Sequence, residues 1–341
     1  MTTCLVLTSG KASDGPYGVD QLERCGVRLT EVSTARTRIH RKIADVLHHR
    51  SGAPIDKAVR SLGLAARADI VLAFLEAQAV APSWASAHGL PPYSSTPLTM
   101  MACWLADELR AASREKRRAV VRKYRGVDLT LVWSANQLDI LHDCGFPREK
   151  IESIPFGFAP GLFPPRSDFS VHGPLVAVGS DRGRDYPTLL AAMQGSGLEL
   201  DLICKESNLE GATVPSGVNF RGTIPYGDYR AALANAAVVA VPTKVMAYPT
   251  GQTVALEAAG SGACVVVTDT PAMREYFSDE TAVMVPPHDP AAWRAALVEL
   301  SRNDTMRARI ASAGSQHVHS RFTYLQMWRH VVELWRERSW I

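Results

Sequence analysis

Short apolar or β-branched runs alternate with longer amphipathic stretches along the whole 341-residue chain. This alternation predicts parallel βαβ units, because a strand covered by helices on both faces is apolar throughout while each crossover helix carries one apolar stripe. In the first half the predicted strands are Cys4–Thr8, Ile70–Leu75, Tyr93–Thr96 and Leu129–Ser134. A second series follows at Leu175–Gly179, Leu198–Cys204, Val238–Val241, Cys264–Thr268 and Ala282–Val285. Between the two series residues 154–168, IPFGFAPGLFPPRSD, hold four prolines and two glycines with no hydrophobic period, which reads as an interdomain linker. Near the C-terminus Leu325, Trp328, Val332 and Trp335 recur at helical spacing, an aromatic stripe that must be buried against something.

A chain of this length outgrows a single hydrophobic core. The expected organisation is an α/β protein with two Rossmann-like domains facing a cleft. Residues 1–156 form the first domain and 157–321 the second, and 322–341 form a helix packing back on the first. With 46% hydrophobic and 21% charged residues the composition is that of a globular protein. No apolar run reaches the roughly 20 residues needed to span a bilayer. The run Cys4–Leu7 is too short for a signal-peptide core and lacks a basic leader, so the cytoplasm is the expected location. Six scattered cysteines form no Cys-x-x-Cys pair, which indicates neither a zinc site nor a disulfide framework.

Charge is uneven. Residues 1–165 carry 21 Lys and Arg against 16 Asp and Glu, and residues 166–341 carry 16 against 18. The excess lies in Arg36, Arg38, Arg41, Lys42 and Arg50, and in Arg114, Lys116, Arg117, Arg118, Arg122, Lys123 and Arg125. Solvated helix faces account for such charges; a weak contact with a membrane surface or an anionic acceptor is the alternative. Nucleic acid is not expected as a partner, since no aromatic residues interleave the charges to form a stacking platform.

Two loops carry candidate chemistry. In VVAVPTKVMAYPTGQTVALEAAGSGACVVVTDT a buried strand ends at Pro242 and a helix begins near Thr250, Gly251 and Gln252. Glycine lets an anion approach the backbone there, and the free first-turn N–H groups with the helix dipole favour phosphate. Glu257, one to two turns on, has the acceptor capacity for a pair of ribose hydroxyls. In VAVGSDRGRDYPTLL, Gly179 ends a strand and Arg182 and Arg184 precede a helix, with Lys205 just after the next strand. Cations at strand C-termini suit a diphosphate. Each feature taken singly also fits an ordinary α/β loop or a surface charge.

The succession IPFGFAPGLFPP, VAVGSDRGRDYPTLLAA, VNFRGTIPYGDYRAALANAAVVAVP and TGQTVALEAAGSGACVVVTDT resembles the C-terminal domain of the family 4 retaining glycosyltransferases, which have the two-Rossmann GT-B fold. DLTLVWSANQLDILHDCGFPREKIESIPFG resembles the end of that family's N-terminal domain. The likeness covers roughly residues 127–290. It implies a retaining enzyme that moves a sugar from a nucleotide-sugar donor, its co-substrate, to a small-molecule or glycan acceptor without any cofactor. By the same resemblance Glu257 is the ribose-binding glutamate, and Thr250, Gly251, Gln252 and Thr253 are the diphosphate-binding helix start. Gly179 and Arg182 stand beside them, and Arg184 takes the place of the family's diphosphate lysine. Gly222, Thr223 and Ile224 lie beside the nucleobase, and Gly15, with Gly18, stands for the glycine-rich loop of the first domain.

The chain departs from the family at three positions. Pro249 stands where a first glutamate is usual, Ser180 replaces an arginine, and PPYSSTPL lacks the histidine that touches the donor sugar. No Asp-x-Asp triplet follows a strand to hold a metal, so no metal site is expected, and cations with helix N–H groups must neutralise the leaving diphosphate. Arg184 and Lys205 are the catalytic candidates on that ground. The resemblance implies front-face attack, with the departing phosphate oxygen helping to take the acceptor proton. Glu76 is the best carboxylate for acceptor binding or proton removal, a solvated strand-end glutamate being the other reading. The rival functions are an epimerase or hydrolase of the same fold, and a catalytically silent nucleotide-sugar-binding protein.

Overall fold

The computed structural model describes residues 2–9, 16–32, 37, 42, 54–170 and 172–341. Gly15, Arg36, Arg38, Arg41 and Arg50 lie outside the described residues. The chain divides into two compact units, residues Met1–Pro155 with Tyr324–Ile341, and Phe156–Thr323.

The first unit holds strands β1 (Thr2–Leu7), β2 (Val27–Thr30), β3 (Ile70–Phe74), β4 (Leu98–Met101), β5 (Leu129–Val132) and β6 (Ile151–Ser153). They form one parallel sheet in the order β2-β1-β3-β4-β5-β6. The central strands β3, β4 and β5 are buried at every position, as helices on both faces require. The aromatic stripe of the last helix, Tyr324–Glu337, is accounted for inside this unit. Trp328 and Trp335 are fully buried; Trp328 Nε1 donates to Tyr17 O at 3.0 Å and Trp335 Nε1 to Thr99 Oγ1 on β4 at 2.9 Å. Each indole thus buries its ring and still satisfies its N–H.

One predicted strand is misplaced. Tyr93–Thr96 is a turn, with Ser95 and Thr96 N–H bonded to Pro92 O, and the strand starts at Leu98. Pro91 and Pro92 supply no N–H to a ladder, and the tyrosine instead points inward, its hydroxyl donating to Ala58 O and meeting Ser61 Oγ.

The second unit repeats the plan with β7 (Leu175–Val178), β8 (Leu200–Ile203), β9 (Val218–Phe220), β10 (Val238–Val241), β11 (Cys264–Thr268) and β12 (Val283–Val285), ordered β12-β11-β10-β7-β8-β9 and all parallel. Its core joins Val238, Ala240, Cys264 and Val266 of the sheet to Leu189, Leu190, Trp293 and Leu297 of the covering helices. The strand order reverses between β7 and β10, which is where an open α/β sheet leaves a crevice at the strand C-termini. The loops that leave those two strands are the two singled out by the sequence.

Candidate functional site

The loops after β7 and β10 are joined by their backbones. Lys244 N–H donates to Gly183 O at 2.8 Å and Asp185 N–H to Pro242 O at 3.1 Å. Glycine is needed at three places in this junction. A Cβ on Gly179, whose φ is +133°, would lie 2.3 Å from Arg184 Nη2; one on Gly183 would lie 2.5 Å from Thr250 Oγ1; one on Gly251, φ +83°, would lie 2.6 Å from Val241 Cγ1 and 3.0 Å from Arg184 Nη1. The guanidinium of Arg184 therefore lies between two glycines, one at the end of β7 and one opening the helix Gln252–Gly260.

Asp181 organises the junction. Its carboxylate accepts from Gly183 N–H at 2.9 Å, from Arg184 Nε at 2.7 Å and from Thr250 Oγ1. Burial on its own would raise this carboxyl, but Arg184, Thr250 and the Gly183 amide outweigh it and hold it below the usual range. Arg184 is buried, and although burial opposes its charge, Asp181 holds the guanidinium protonated. One of its nitrogens, Nη1, has no hydrogen-bond partner, and neither has Thr243 Oγ1. Both residues border Gly251. Buried polar groups without partners cost free energy, so the unpartnered Arg184 Nη1, 3.0 Å from where a Cβ on Gly251 would lie, marks a place where a polar ligand or water could complete the structure.

Along the same helix Gln252 is buried, its Nε2 donating to Tyr248 Oη at 2.7 Å, and its own N–H is taken by Pro249 O. Thr253 follows, half-buried, in the first turn, where amides lack intrahelical acceptors. Glu257 is buried and accepts from Tyr229 Oη. Burial pushes its carboxyl up to about 7, against the lowering effect of that hydrogen bond. Tyr229 belongs to the helix Tyr226–Asn235, which follows the turn Gly222, Thr223, Ile224. Tyr226, 56% exposed, stacks on Tyr229 at 5.8 Å and 22°, and Phe163 meets Tyr229 edge-on at 6.3 Å.

The structure thus brings Gly179, Arg184, Thr250, Gly251 and Gln252 together, and sets Glu257 against the helix that leaves the Gly222 turn. Lys205 is exposed at the end of β8, its N–H bonded to Ser180 Oγ at 3.3 Å, and Arg182 is exposed on the loop after β7. Glu76 is in the other unit, at the start of the helix Glu76–Ala87. It is not a solvated strand-end glutamate: one oxygen accepts from Cys103 N–H at 2.7 Å and Trp104 N–H at 3.0 Å, because those amides lie at the start of the helix Leu105–Arg110 and need an acceptor. Burial raises its carboxyl in spite of these bonds.

Sequence reasoning missed Asp181, Thr243, Tyr226 and Tyr229. For the tyrosines the signal was present, two aromatics three apart in the first turn of the helix that follows Gly222, Thr223 and Ile224. Among the described residues no three His, Cys, Asp or Glu side chains converge to hold a metal, and no helix is long and apolar enough to cross a membrane.

Two all-parallel six-stranded sheets, the second carrying this junction at its switch point, define a glycosyltransferase fold of the GT-B type. The glycosyl transferase-like family model matches residues 165–333. HepE from Anabaena, solved with UDP and glucose, aligns over 99% of this chain and 100% of its own with a TM-score of 0.70 and 14% identity. Sucrose-phosphate synthase from Thermosynechococcus elongatus aligns over 99% and 98% with a TM-score of 0.71 and 15% identity. A glycosyltransferase from Rickettsia africae aligns over 98% of both chains with a TM-score of 0.59 and 12% identity. Comparison of the sequence with curated proteins gives no match. The chain thus carries a glycosyl transferase-like domain in its second half and has the fold of the GT-B glycosyltransferases throughout.

Proposed function

We propose that the protein moves a sugar from a nucleoside diphosphate sugar to a small-molecule or glycan acceptor in the cytoplasm, with retention and without a metal. The observation that carries this reading is the buried Arg184, whose unpartnered Nη1 borders the glycine that opens the Gln252–Gly260 helix. A diphosphate at that point accepts from Nη1 and from the first-turn amides, and it gains charge as the glycosidic bond breaks. Glu257 takes the ribose hydroxyls and the Gly222 turn the base. Lys205 and Arg182 add positive potential from the surface of the same sheet edge. HepE has been solved with UDP-glucose, which makes UDP-sugars the first donors to test.

Calorimetric titration with UDP and UDP-glucose tests the donor site, with micromolar to millimolar binding expected and its absence counting against the reading. Chelation leaves turnover unchanged on this reading, and loss of activity with rescue by magnesium or manganese refutes metal independence. Products formed from donor alone expose an epimerase or hydrolase. The silent-binder alternative draws on Pro249 and on Asp181, which already neutralises Arg184. Tight UDP-sugar binding with no turnover on any acceptor decides for it.

A further inference from the structure

The first unit carries an apolar groove between the helices Ile55–Arg60 and Glu76–Ala87. It has a volume of about 670 Å³, and its mouth is formed by Val59 and Trp84, each 57% exposed, with Leu62 and Leu90. Its floor is apolar because Tyr93 turns its hydroxyl inward to Ala58 O and Ser61. An indole and aliphatic tips left half in water cost free energy in a monomer, and such patches mark interaction surfaces.

Cations flank this groove. Ser83, next to Trp84, donates to Lys123 O at 2.9 Å, and Arg125 Nη2 donates to Ala87 O at 3.4 Å, so the end of the helix Arg114–Lys123 is held beside the Trp84 helix. Arg122, Lys123 and Arg125 are exposed there, and the only acidic residue from Arg114 to Arg125 is Glu115.

We propose that this groove and the cationic end beside it seat the protein on an anionic lipid bilayer, with Trp84 and its aliphatic neighbours at the acyl boundary and Arg122, Lys123 and Arg125 among the headgroups. A tryptophan at an apolar–polar boundary with cations at headgroup depth fits a membrane interface. A second copy of the chain fits it poorly, because an isologous contact would bring like charges together.

The test is co-sedimentation with vesicles of phosphatidylcholine alone and of phosphatidylcholine with phosphatidylglycerol, in the absence of nucleotide. The expected result is binding to the anionic vesicles only, reversed by salt. Trp84→Ser weakens it by about tenfold. Joint replacement of Arg122, Lys123 and Arg125 by Gln weakens it by about a hundredfold. Both variants should unfold at the parent's urea midpoint and bind UDP as the parent does, which keeps this inference separate from the donor reading. Absence of binding to anionic vesicles overturns the proposal. So does binding that neither variant alters, or a dimer in sedimentation velocity that Trp84→Ser dissociates.

Discussion

At the scale of single residues, Glu257 links stability to pH. Burial lifts its carboxyl to about 7 in the fold from 4.5 in the free side chain. The folded chain therefore holds this proton more tightly, so the stabilisation is complete below pH 4.5 and is lost as pH rises through 7, by about 3 kcal/mol in all. Asp181 acts in a different window. Its lowered carboxyl stabilises the fold above 3.8 and loses that effect only as pH falls through its folded value. Urea denaturation across pH 4.5 to 7 should show parent stability falling relative to Glu257→Gln, which has no proton to lose. A difference that does not change with pH would show that the carboxyl titrates normally. On the proposed ribose role of Glu257, nucleoside binding would reverse the preference, since ribose hydroxyls donate to the ionised form, and UDP affinity is expected to rise from pH 6 to pH 8. Tyr229→Phe removes the hydrogen bond that favours ionisation, so the same rise should move to higher pH, a shift that simple loss of packing would not produce.

A second residue-scale prediction concerns Gly251. Alanine there adopts a left-handed backbone at a cost of about 1–2 kcal/mol, and its Cβ collides with Val241 and presses on Arg184. Gly251→Ala is expected to remain folded and to lose UDP binding in calorimetry. Undiminished binding would show that no ligand sits at this helix start.

At the scale of elements, the last helix is the most exposed to a single change. Trp335→Ala removes a fully buried indole and is expected to lower stability by about 3–5 kcal/mol. Trp335→Phe keeps most of the packing, loses the bond to Thr99 Oγ1, and is expected to cost about 1 kcal/mol. A Trp335→Phe midpoint equal to the parent's would contradict the buried hydrogen bond, and equal midpoints for the two variants would contradict the packing contribution of the ring. The same scale shows what was legible beforehand. β3, β5, β10 and β11 were readable because strands covered on both faces are apolar runs. β2, β6 and β9 were not, because Arg28, Glu152 and Asn219 interrupt these edge strands where one side meets water, whereas the edge strand β12 keeps an unbroken apolar run and was readable. At the site, the glycine-opened helix and Arg184 were legible from local chemistry. The Tyr229–Glu257 and Thr250–Asp181 bonds span 28 and 69 residues and leave no local pattern. The burial of Arg184 also escaped the sequence, which treats a loop arginine as a surface charge.

At the scale of the molecule, each unit has its own sheet and its own buried core, and the proposed donor site belongs wholly to Phe156–Thr323, whereas Trp335 belongs to the other unit. Ligand binding and the tryptophan substitution should therefore act on different cooperative transitions. UDP at a hundred times its Kd stabilises the state that binds it by about 2.7 kcal/mol. For a unit of this size that raises Tm by about 5–10 °C. Differential scanning calorimetry of the parent should show UDP moving the transition of the second unit, and Trp335→Ala lowering that of the first with the UDP shift intact. Additive effects are what separate cores imply, because sites without shared partners couple weakly. If Trp335→Ala abolishes the UDP shift, nucleotide binding draws on the first unit, and the donor site cannot be confined to the residues around Gly251 and Glu257.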